Sequence, residues 1–157
     1  MIVVSDTTPL RYLVLIDQVH LLPELFGHVV TTPDVVDKMD QPETPEKLRQ
    51  WVSQLPGWLE IKEPSSRLPA VARLGRGKAS AISLATELKA DVLLIDERDG
   101  ARVARAQGLF VTGTLGVLTT ASKKRLVSLR EALGALASTS FRHSPQMFEQ
   151  LIREDES

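Results

Sequence analysis

The chain contains no cysteine, which excludes structural disulfides and metal sites built from thiolates. It has no uninterrupted apolar run approaching the roughly 20 residues that cross a bilayer, and its start, Met1–Asp6, does not have the pattern of a signal peptide. The net charge is −1, so any contact with nucleic acid must come from local patches or from metal ions that bridge to phosphate. These absences predict a cytoplasmic protein with no membrane partner.

The alternation of short apolar runs with segments of helical periodicity indicates an α/β fold, in which parallel strands are joined by right-handed crossovers. A length of 157 residues suits one domain with its own hydrophobic core. We expect a single three-layer domain over residues 1–157, with a central parallel sheet of about five strands and helices on both faces. Residues 144–157 should form a C-terminal helix and an acidic tail. The predicted strands are Ile2–Ser5, Val29–Thr31, Trp58–Lys62, Val92–Ile95 and Phe110–Thr112.

Polar residues and prolines mark where several helices should begin. Thr8 is predicted to cap the first helix, with Pro9 at the first helical position, where its missing N–H costs nothing. Ser144 should cap the last helix in the same way, ahead of a proline. Ser128 and Glu131 have the spacing of a capping box.

Aspartates directly follow two of the predicted strands: Asp6 follows the first and Asp96 the fourth. In open parallel sheets, ligands bind outside the carboxyl ends of the strands, so we expect these two side chains to meet at one site. Carboxylates suit a hard cation such as Mg²⁺ or Mn²⁺, which can polarise a phosphodiester and activate a bound water. A single aspartate after a strand is more often a cap or turn residue, so the hypothesis depends on the pair.

Four segments in order along the chain carry a resemblance to a known family. They are Val3–Leu10, Leu74–Ala85, Leu93–Arg98 and Gly113–Leu118. Together they resemble the PIN-like domain family, and more narrowly a prokaryotic branch near the VapC toxins. The resemblance covers the chain from Ile2 to about Lys124.

The resemblance implies a helix-flanked sheet and an acidic cluster that binds Mg²⁺ or Mn²⁺. It also implies endoribonuclease activity on single-stranded or structured RNA, a homodimer, and inhibition by a small cognate antitoxin. Asp6 matches the family's first acid, and Asp96 matches the acid after the fourth strand. Asp6, Asp96 and Asp99 are therefore the predicted catalytic residues, with Asp6 and Asp96 as metal ligands and Asp99 assisting.

Hydroxyl and guanidinium groups near these acids are candidates for contacts with RNA. Thr7 or Thr114 would orient water or phosphate by hydrogen bonding. Arg98 and Arg102 recur four residues apart on one helix face and would contact RNA phosphates. A solvated helix face is nevertheless the more common explanation for such arginines.

The acidic cluster departs from the family pattern at three positions. The family's second acid falls at or next to Met39, which leaves only Asp37 or Asp40 as possible substitutes. The two glutamates expected early in the long helix are replaced by Lys78 and Ser80. Cation affinity depends on the charge and number of the ligands, so these changes weaken metal binding. Two hypotheses remain: a metal-dependent endoribonuclease that is the toxin of a toxin–antitoxin pair, or a catalytically degenerate PIN-like domain that binds RNA or protein.

Overall fold

Five strands form one parallel sheet in the computed structural model, which describes residues 1–157. The strands are β1 (Val3–Ser5), β2 (Val29–Thr31), β3 (Leu59–Ile61), β4 (Val92–Leu94) and β5 (Val111–Thr112). They pair in the order β3-β2-β1-β4-β5, and every pairing is parallel. The predicted α/β fold class with a central parallel sheet is therefore confirmed.

The central strand β1 shows why both faces of the sheet must be covered. Val3, Val4 and Ser5 are all completely buried. Successive side chains of a strand point to opposite faces, so burial of three in a row requires packing on both sides. The register pairs Ser5 with Leu94, which brings the ends of β1 and β4 level at the same edge of the sheet.

Nine α-helices surround this sheet, together with a 3₁₀ turn at Pro69–Val71. They are α1 (Thr7–Leu15), α2 (Leu21–Phe26), α3 (Pro33–Lys38), α4 (Glu46–Ser53), α5 (Arg76–Leu88), α6 (Arg98–Ala106), α7 (Thr114–Lys123), α8 (Leu129–Ala137) and α9 (Pro145–Glu156). Helix α5 packs on β1 and β4 beside α3 and α6, whereas α7 packs with α1, α2, α8 and α9. No helix here combines the length and the hydrophobicity that spanning a bilayer requires.

One hydrophobic cluster of 34 buried residues holds these layers together, and it extends from Val3 to Phe148. Its largest fully buried side chains include Leu10 of α1, Leu94 of β4 and Leu118 of α7. Burying such a side chain contributes about 1.5–3 kcal/mol to folding. The packing of α1 and α7 next to the end of β4 fixes the helix starts that shape the site described below.

The first helix begins two residues earlier than the sequence predicts. Its N-cap is Asp6 rather than Thr8, and Thr7 is already helical. Pro9 then lies in the third helical position, which is still in the first turn, where a backbone N–H has no intrahelical partner. The chain therefore passes from β1 into α1 at Asp6 itself.

The N-caps predicted at Ser128 and Ser144 are confirmed, but the Glu131 side chain makes no return hydrogen bond to the Ser128 N–H, so only half of the predicted capping box forms. The Ser128 hydroxyl accepts a hydrogen bond from the Glu131 backbone N–H at 3.3 Å, and the Ser144 hydroxyl accepts one from the Met147 N–H at 3.1 Å. The acidic tail is not separate from the last helix, because α9 continues to Glu156.

Helix α2 is not predicted from the sequence, because Pro23 interrupts its short apolar pattern. In the structure Pro23 is the third residue of that helix, again within the first turn, so it removes no intrahelical hydrogen bond. Leu21 and Leu22 are fully buried, and this packing explains why so short a helix forms.

Candidate functional site

Asp6 and Asp96 follow neighbouring strands at one edge of the sheet. The backbone N–H of Asp6 donates to the Leu94 carbonyl at 2.8 Å, so the end of β1 is tied to β4 two residues before Asp96. The register of the two strands agrees with this, since Ser5 of β1 pairs with Leu94 of β4. The structure therefore brings the two aspartates together at the carboxyl ends of β1 and β4, where open parallel sheets bind ligands.

The carboxylate of Asp96 is held by the first residue of α7. Its Oδ1 accepts a hydrogen bond from the Thr114 backbone N–H at 2.7 Å, and its Oδ2 accepts one from the Thr114 hydroxyl at 2.6 Å. A Cβ on Gly113 would lie 2.2 Å from Asp96 Oδ1, so only glycine allows this approach. Burial raises the pKa of Asp96, and the two Thr114 hydrogen bonds offset part of that effect.

Asp6 is more deeply buried than Asp96, and its carboxylate has fewer hydrogen-bond donors. It is 2 % exposed, and its Oδ1 has no hydrogen-bond partner. Burial raises the pKa of Asp6, and the Asp96 carboxylate acts in the same direction, whereas the Thr7 amide, Lys78 and Lys38 act against it. A buried carboxylate oxygen without a donor is unfavourable, so this atom is suited to a cationic ligand.

Two lysines flank Asp6. The Lys38 Cδ and Asp6 Oδ1 lie 3.7 and 3.8 Å from the position that a Cβ on Gly77 would take. The Lys78 Cδ lies 3.4 Å from the equivalent position on Gly100. Neither lysine forms a salt bridge with a carboxylate. The site is therefore a mixed cluster of two carboxylates and two ammonium groups.

The three departures noted in the sequence have different structural roles. Met39 is completely buried, and the neighbouring Lys38 is the residue that faces Asp6. Ser80 is also buried, and its hydroxyl lies 2.6 Å from the Thr32 hydroxyl, so it joins α5 to the start of α3. Of the three positions, only Lys78 lies at the site itself.

A cleft of about 740 Å³ opens beside Asp96. Arg98 and Arg142 supply positive charge to its lining, and Tyr12 and Phe141 supply aromatic surface. The two rings meet edge to face, with centroids 5.1 Å apart. Cationic and aromatic side chains in one groove suit single-stranded nucleic acid, whose phosphates and bases they contact respectively.

The acidic residues fit one divalent cation and do not form a cage. No three histidine, cysteine or acidic side chains form a group that could hold a metal ion. Glu97 also lines the cleft, but its carboxylate caps α6 through the Asp99 and Gly100 N–H groups, which leaves Asp6 and Asp96 as the available carboxylates. Mg²⁺ is commonly held by one or two carboxylates together with water and substrate phosphate. The unpartnered Oδ1 of Asp6 is consistent with such an ion, which would need a phosphate to complete its ligands.

The sequence profile of DUF3368, a PIN-domain family, matches residues 2–157. The chain belongs to the PIN-domain family. PIN domains are typically nucleases and generally use divalent metal ions. Among solved structures, a PilT N-terminus domain protein from the hyperthermophilic archaeon Sulfolobus solfataricus P2 is similar, with a TM-score of 0.52 and 17% sequence identity. That match covers 92% of this chain and 100% of the other, and at this identity it concerns the fold alone. No curated protein matches the chain.

Two of the residues predicted from the sequence lie apart from the centre of this PIN domain. Asp99 is in the first turn of α6, and its side chain is 68% exposed and lies 3.6 Å from Arg102. Both residues line a concavity next to the 3₁₀ turn Pro69–Val71, which shares no residue with the cleft. The structure does not bring Asp99 to the two aspartates, because α6 begins at Arg98 and turns Asp99 towards the 3₁₀ turn.

Three further predicted residues differ in their access to a ligand. Thr7 is 5% exposed and its hydroxyl has no partner, so it lies beneath the site. Thr114 is completely buried and holds Asp96. Arg98 is exposed and lines the cleft, where it can reach a phosphate.

Sequence reasoning missed Tyr12, Phe141, Arg142 and Lys38. The first three meet only because the segment between α8 and α9 returns to α1, where Tyr12 and Ser140 join their hydroxyl groups at 2.9 Å. No local spacing in the sequence predicts that contact. Lys38 was detectable as the neighbour of Met39, but only the orientation of α3 decides which of the two faces the site.

The hydroxyl of Thr114 should stabilise the charged form of Asp96. We expect Thr114→Val, which keeps the shape and removes the hydroxyl, to lower the free energy of unfolding at neutral pH by about 1–3 kcal/mol. The pKa of Asp96 should rise further, so the loss should shrink as the pH falls through that pKa and the carboxyl becomes neutral. Urea unfolding across pH measures this. Thr114→Ser, which keeps the hydroxyl, is the control, and equal stability of the two variants would contradict the role.

Proposed function

We propose that this PIN domain is an endoribonuclease that uses one Mg²⁺ or Mn²⁺ ion held by Asp6 and Asp96. The supporting observation is the meeting of a buried carboxylate, Asp6, and a half-buried one, Asp96, each with a raised pKa, at the ends of β1 and β4 beside an open cleft. Carboxylates perturbed in this way are typical of functional sites. A divalent cation bound there would polarise the phosphodiester and lower the pKa of a coordinated water.

The remaining groups of the site bind and orient the RNA. Arg98 and Arg142 contact phosphates along the cleft, and Tyr12 and Phe141 offer surfaces for unpaired bases. Thr114 keeps the Asp96 carboxylate in one orientation. In the proposed hydrolysis, the oxygen of water bonds to phosphorus, the bond to the leaving ribose oxygen breaks, and that oxygen takes up a proton. Asp99 has no part in the proposal, because it lines a different concavity.

The proposal is tested by cleavage of a single-stranded RNA. We expect Mg²⁺ or Mn²⁺ to support cleavage, a chelator to stop it, and Asp96→Asn to slow it by on the order of 100-fold or more, as for other groups that stabilise charge in an active site. Asp17→Asn is the matched control, since this aspartate is 76% exposed, lies beyond the far end of α1 and should leave the rate unchanged. Cleavage that survives the chelator, or an undiminished Asp96→Asn rate, would refute the proposal.

A second candidate is a catalytically degenerate PIN domain that binds RNA or a partner protein. Lys38 and Lys78 favour it, because their charges oppose the binding of a cation at Asp6. The two candidates differ in one respect that can be measured. The nuclease must take up Mn²⁺ saturably when RNA is bound, whereas the degenerate domain must show no such uptake, whether its ligand is RNA or a protein.

The nuclease proposal includes the role of a toxin, with a small antitoxin as its protein partner and a homodimer as its working form. The resemblance to the branch near the VapC toxins supports this part. Exposed apolar side chains away from the carboxyl edge of the sheet, Phe110 and Ile2 among them, offer surface for a protein contact. A neighbouring gene for a small DNA-binding protein, co-expressed and co-purified with this chain, tests the pairing.

A further inference from the structure

Lys38 and Lys78 approach Asp6 from two different helices, α3 and α5. The Lys38 Cδ and Asp6 Oδ1 lie 3.7 and 3.8 Å from the same point, the position of a Cβ on Gly77, and the charges of both lysines oppose the rise in the pKa of Asp6 that burial causes. Neither forms a salt bridge with another acid, so their hydrogen-bonding capacity is unused within the protein. Lys38 is exposed and Lys78 is half-buried, so a ligand can reach both.

The charges of this cluster sum to zero when all four groups are ionised. The two ammonium groups offset Asp6 and Asp96. Glu97 also lies near Lys78, but its carboxylate accepts hydrogen bonds from the Asp99 and Gly100 backbone N–H groups and caps α6, so it does not join Asp6 and Asp96. The affinity of a site for a divalent cation depends on the negative charge and the number of its ligands. Two carboxylates opposed by two lysines therefore hold such a cation poorly on their own.

A phosphate group supplies what this cluster lacks. Its oxygens accept hydrogen bonds from the lysine ammonium groups, and its negative charge restores a net attraction for the cation. We infer that Lys38 and Lys78 make cation binding conditional on nucleic acid, so that the ion enters only together with a phosphate that both lysines contact. This inference rests on the proposed function, since it takes Asp6 and Asp96 as the ligands of the ion.

Conditional binding has a thermodynamic signature that does not depend on turnover. If a phosphate-bearing ligand tightens Mn²⁺ binding by a given factor, Mn²⁺ must tighten the binding of that ligand by the same factor. The probe is a short single-stranded RNA with 2′-O-methyl and phosphorothioate groups, which resists cleavage. Electron paramagnetic resonance of free Mn²⁺ measures the ion, and fluorescence anisotropy measures the RNA.

We expect the probe to tighten the binding of Mn²⁺ to the wild-type protein by about tenfold or more, and Mn²⁺ to tighten the binding of the probe equally. The double variant Lys38→Glu with Lys78→Glu should bind Mn²⁺ without the probe, because it replaces two ammonium groups with carboxylates. Equal Mn²⁺ affinity with and without the probe in the wild type would overturn the inference.

The lysine contacts with phosphate are measured separately, without metal. Lys38→Met with Lys78→Met should reduce the slope of the logarithm of probe affinity against the logarithm of salt concentration by about 0.7, the value for one neutralised phosphate on a single strand, because the two lysines share that phosphate. Lys47→Met is the control, since Lys47 pairs with Asp17 beyond the far end of α1. An unchanged slope in the double Met variant would also overturn the inference.

Different results would contradict the proposed nuclease and the conditional binding of the cation. Absence of Mn²⁺ uptake by the wild type under every condition would overturn the proposed nuclease and the conditional binding with it. Tight uptake that is indifferent to the probe would overturn the inference alone and leave the nuclease standing. Thermal melting of each variant without metal shows that it is folded before these outcomes are read.

Discussion

Replacing Asp6 by asparagine is expected to abolish the proposed RNA cleavage and at the same time to make the protein more stable. Asp6 is 2 % exposed, its Oδ1 has no hydrogen-bond donor, and its raised pKa shows that the folded protein disfavours its charge. Asparagine has nearly the same shape and no charge. We expect the free energy of unfolding at neutral pH to rise by about 1–3 kcal/mol, because the substitution removes the charge that burial disfavours and leaves only a neutral amide in the same place.

The pH dependence of this effect has a definite sign. The folded pKa of Asp6 lies above the ordinary value of 3.8, so the folded state binds its proton more tightly than the unfolded chain does. The charged Asp6 carboxylate therefore destabilises the folded protein fully at pH values above the folded pKa. This destabilisation decreases as the pH falls from the folded pKa towards 3.8. Urea unfolding at several pH values should show Asp6→Asn as the more stable protein at neutral pH, with the gap closing on acidification. A gap that widens in acid would contradict this.

A gain in stability together with a loss of activity identifies a residue kept for its function. Sites that need charge in a buried position reduce the stability of the fold that holds them. Loss of activity without a gain in stability would instead mean that a donor absent from the structure satisfies Asp6. A gain in stability together with a loss of RNA cleavage would support a cation site at Asp6.

The second large effect concerns Gly113. A methyl group there would lie 2.2 Å from Asp96 Oδ1 and 3.3 Å from the Ile95 carbonyl oxygen, so Gly113→Ala must displace the carboxylate from the Thr114 N–H and hydroxyl. We expect a loss of about 1–3 kcal/mol in the free energy of unfolding, the usual cost of overpacking. Saturable Mn²⁺ uptake in the presence of RNA should disappear.

Gly134→Ala is the matched control for this substitution. Gly134 lies within α8, and nothing is within 4 Å of the position that its Cβ would take. Alanine in a helix interior is more favourable than glycine by about 0.5–1 kcal/mol, so this variant should be more stable and should bind Mn²⁺ like the wild type. If Gly113→Ala kept both its stability and its Mn²⁺ uptake, Asp96 would not be held as the structure describes.

The fold was predictable where local patterns decide it. The apolar run Val92–Ile95 indicated a buried strand, and β4 is found at Val92–Leu94. The strand Val29–Thr31 has the predicted bounds. Tertiary packing decides the remainder: α2 forms because Leu21 and Leu22 are buried, although Pro23 interrupts its pattern.

The site was predictable only in part, for a similar reason. Asp6 and Asp96 follow from the rule that ligands bind at strand ends, which needs only the order of strands and helices. The neighbours of Asp6 depend on the rotation of α3, where successive residues differ by about 100° around the axis. That rotation buries Met39 and turns Lys38 to the site.

The central claim is that the carboxylates of residues 6 and 96 share one divalent ion when a nucleic-acid phosphate is present. Crystals of the protein with Mn²⁺ and the uncleavable RNA, measured at the manganese absorption edge, test it most directly. The account predicts one anomalous peak between the two carboxylates, next to a phosphate within reach of both lysines. A peak elsewhere on the protein, or none in crystals that contain the RNA, would contradict it.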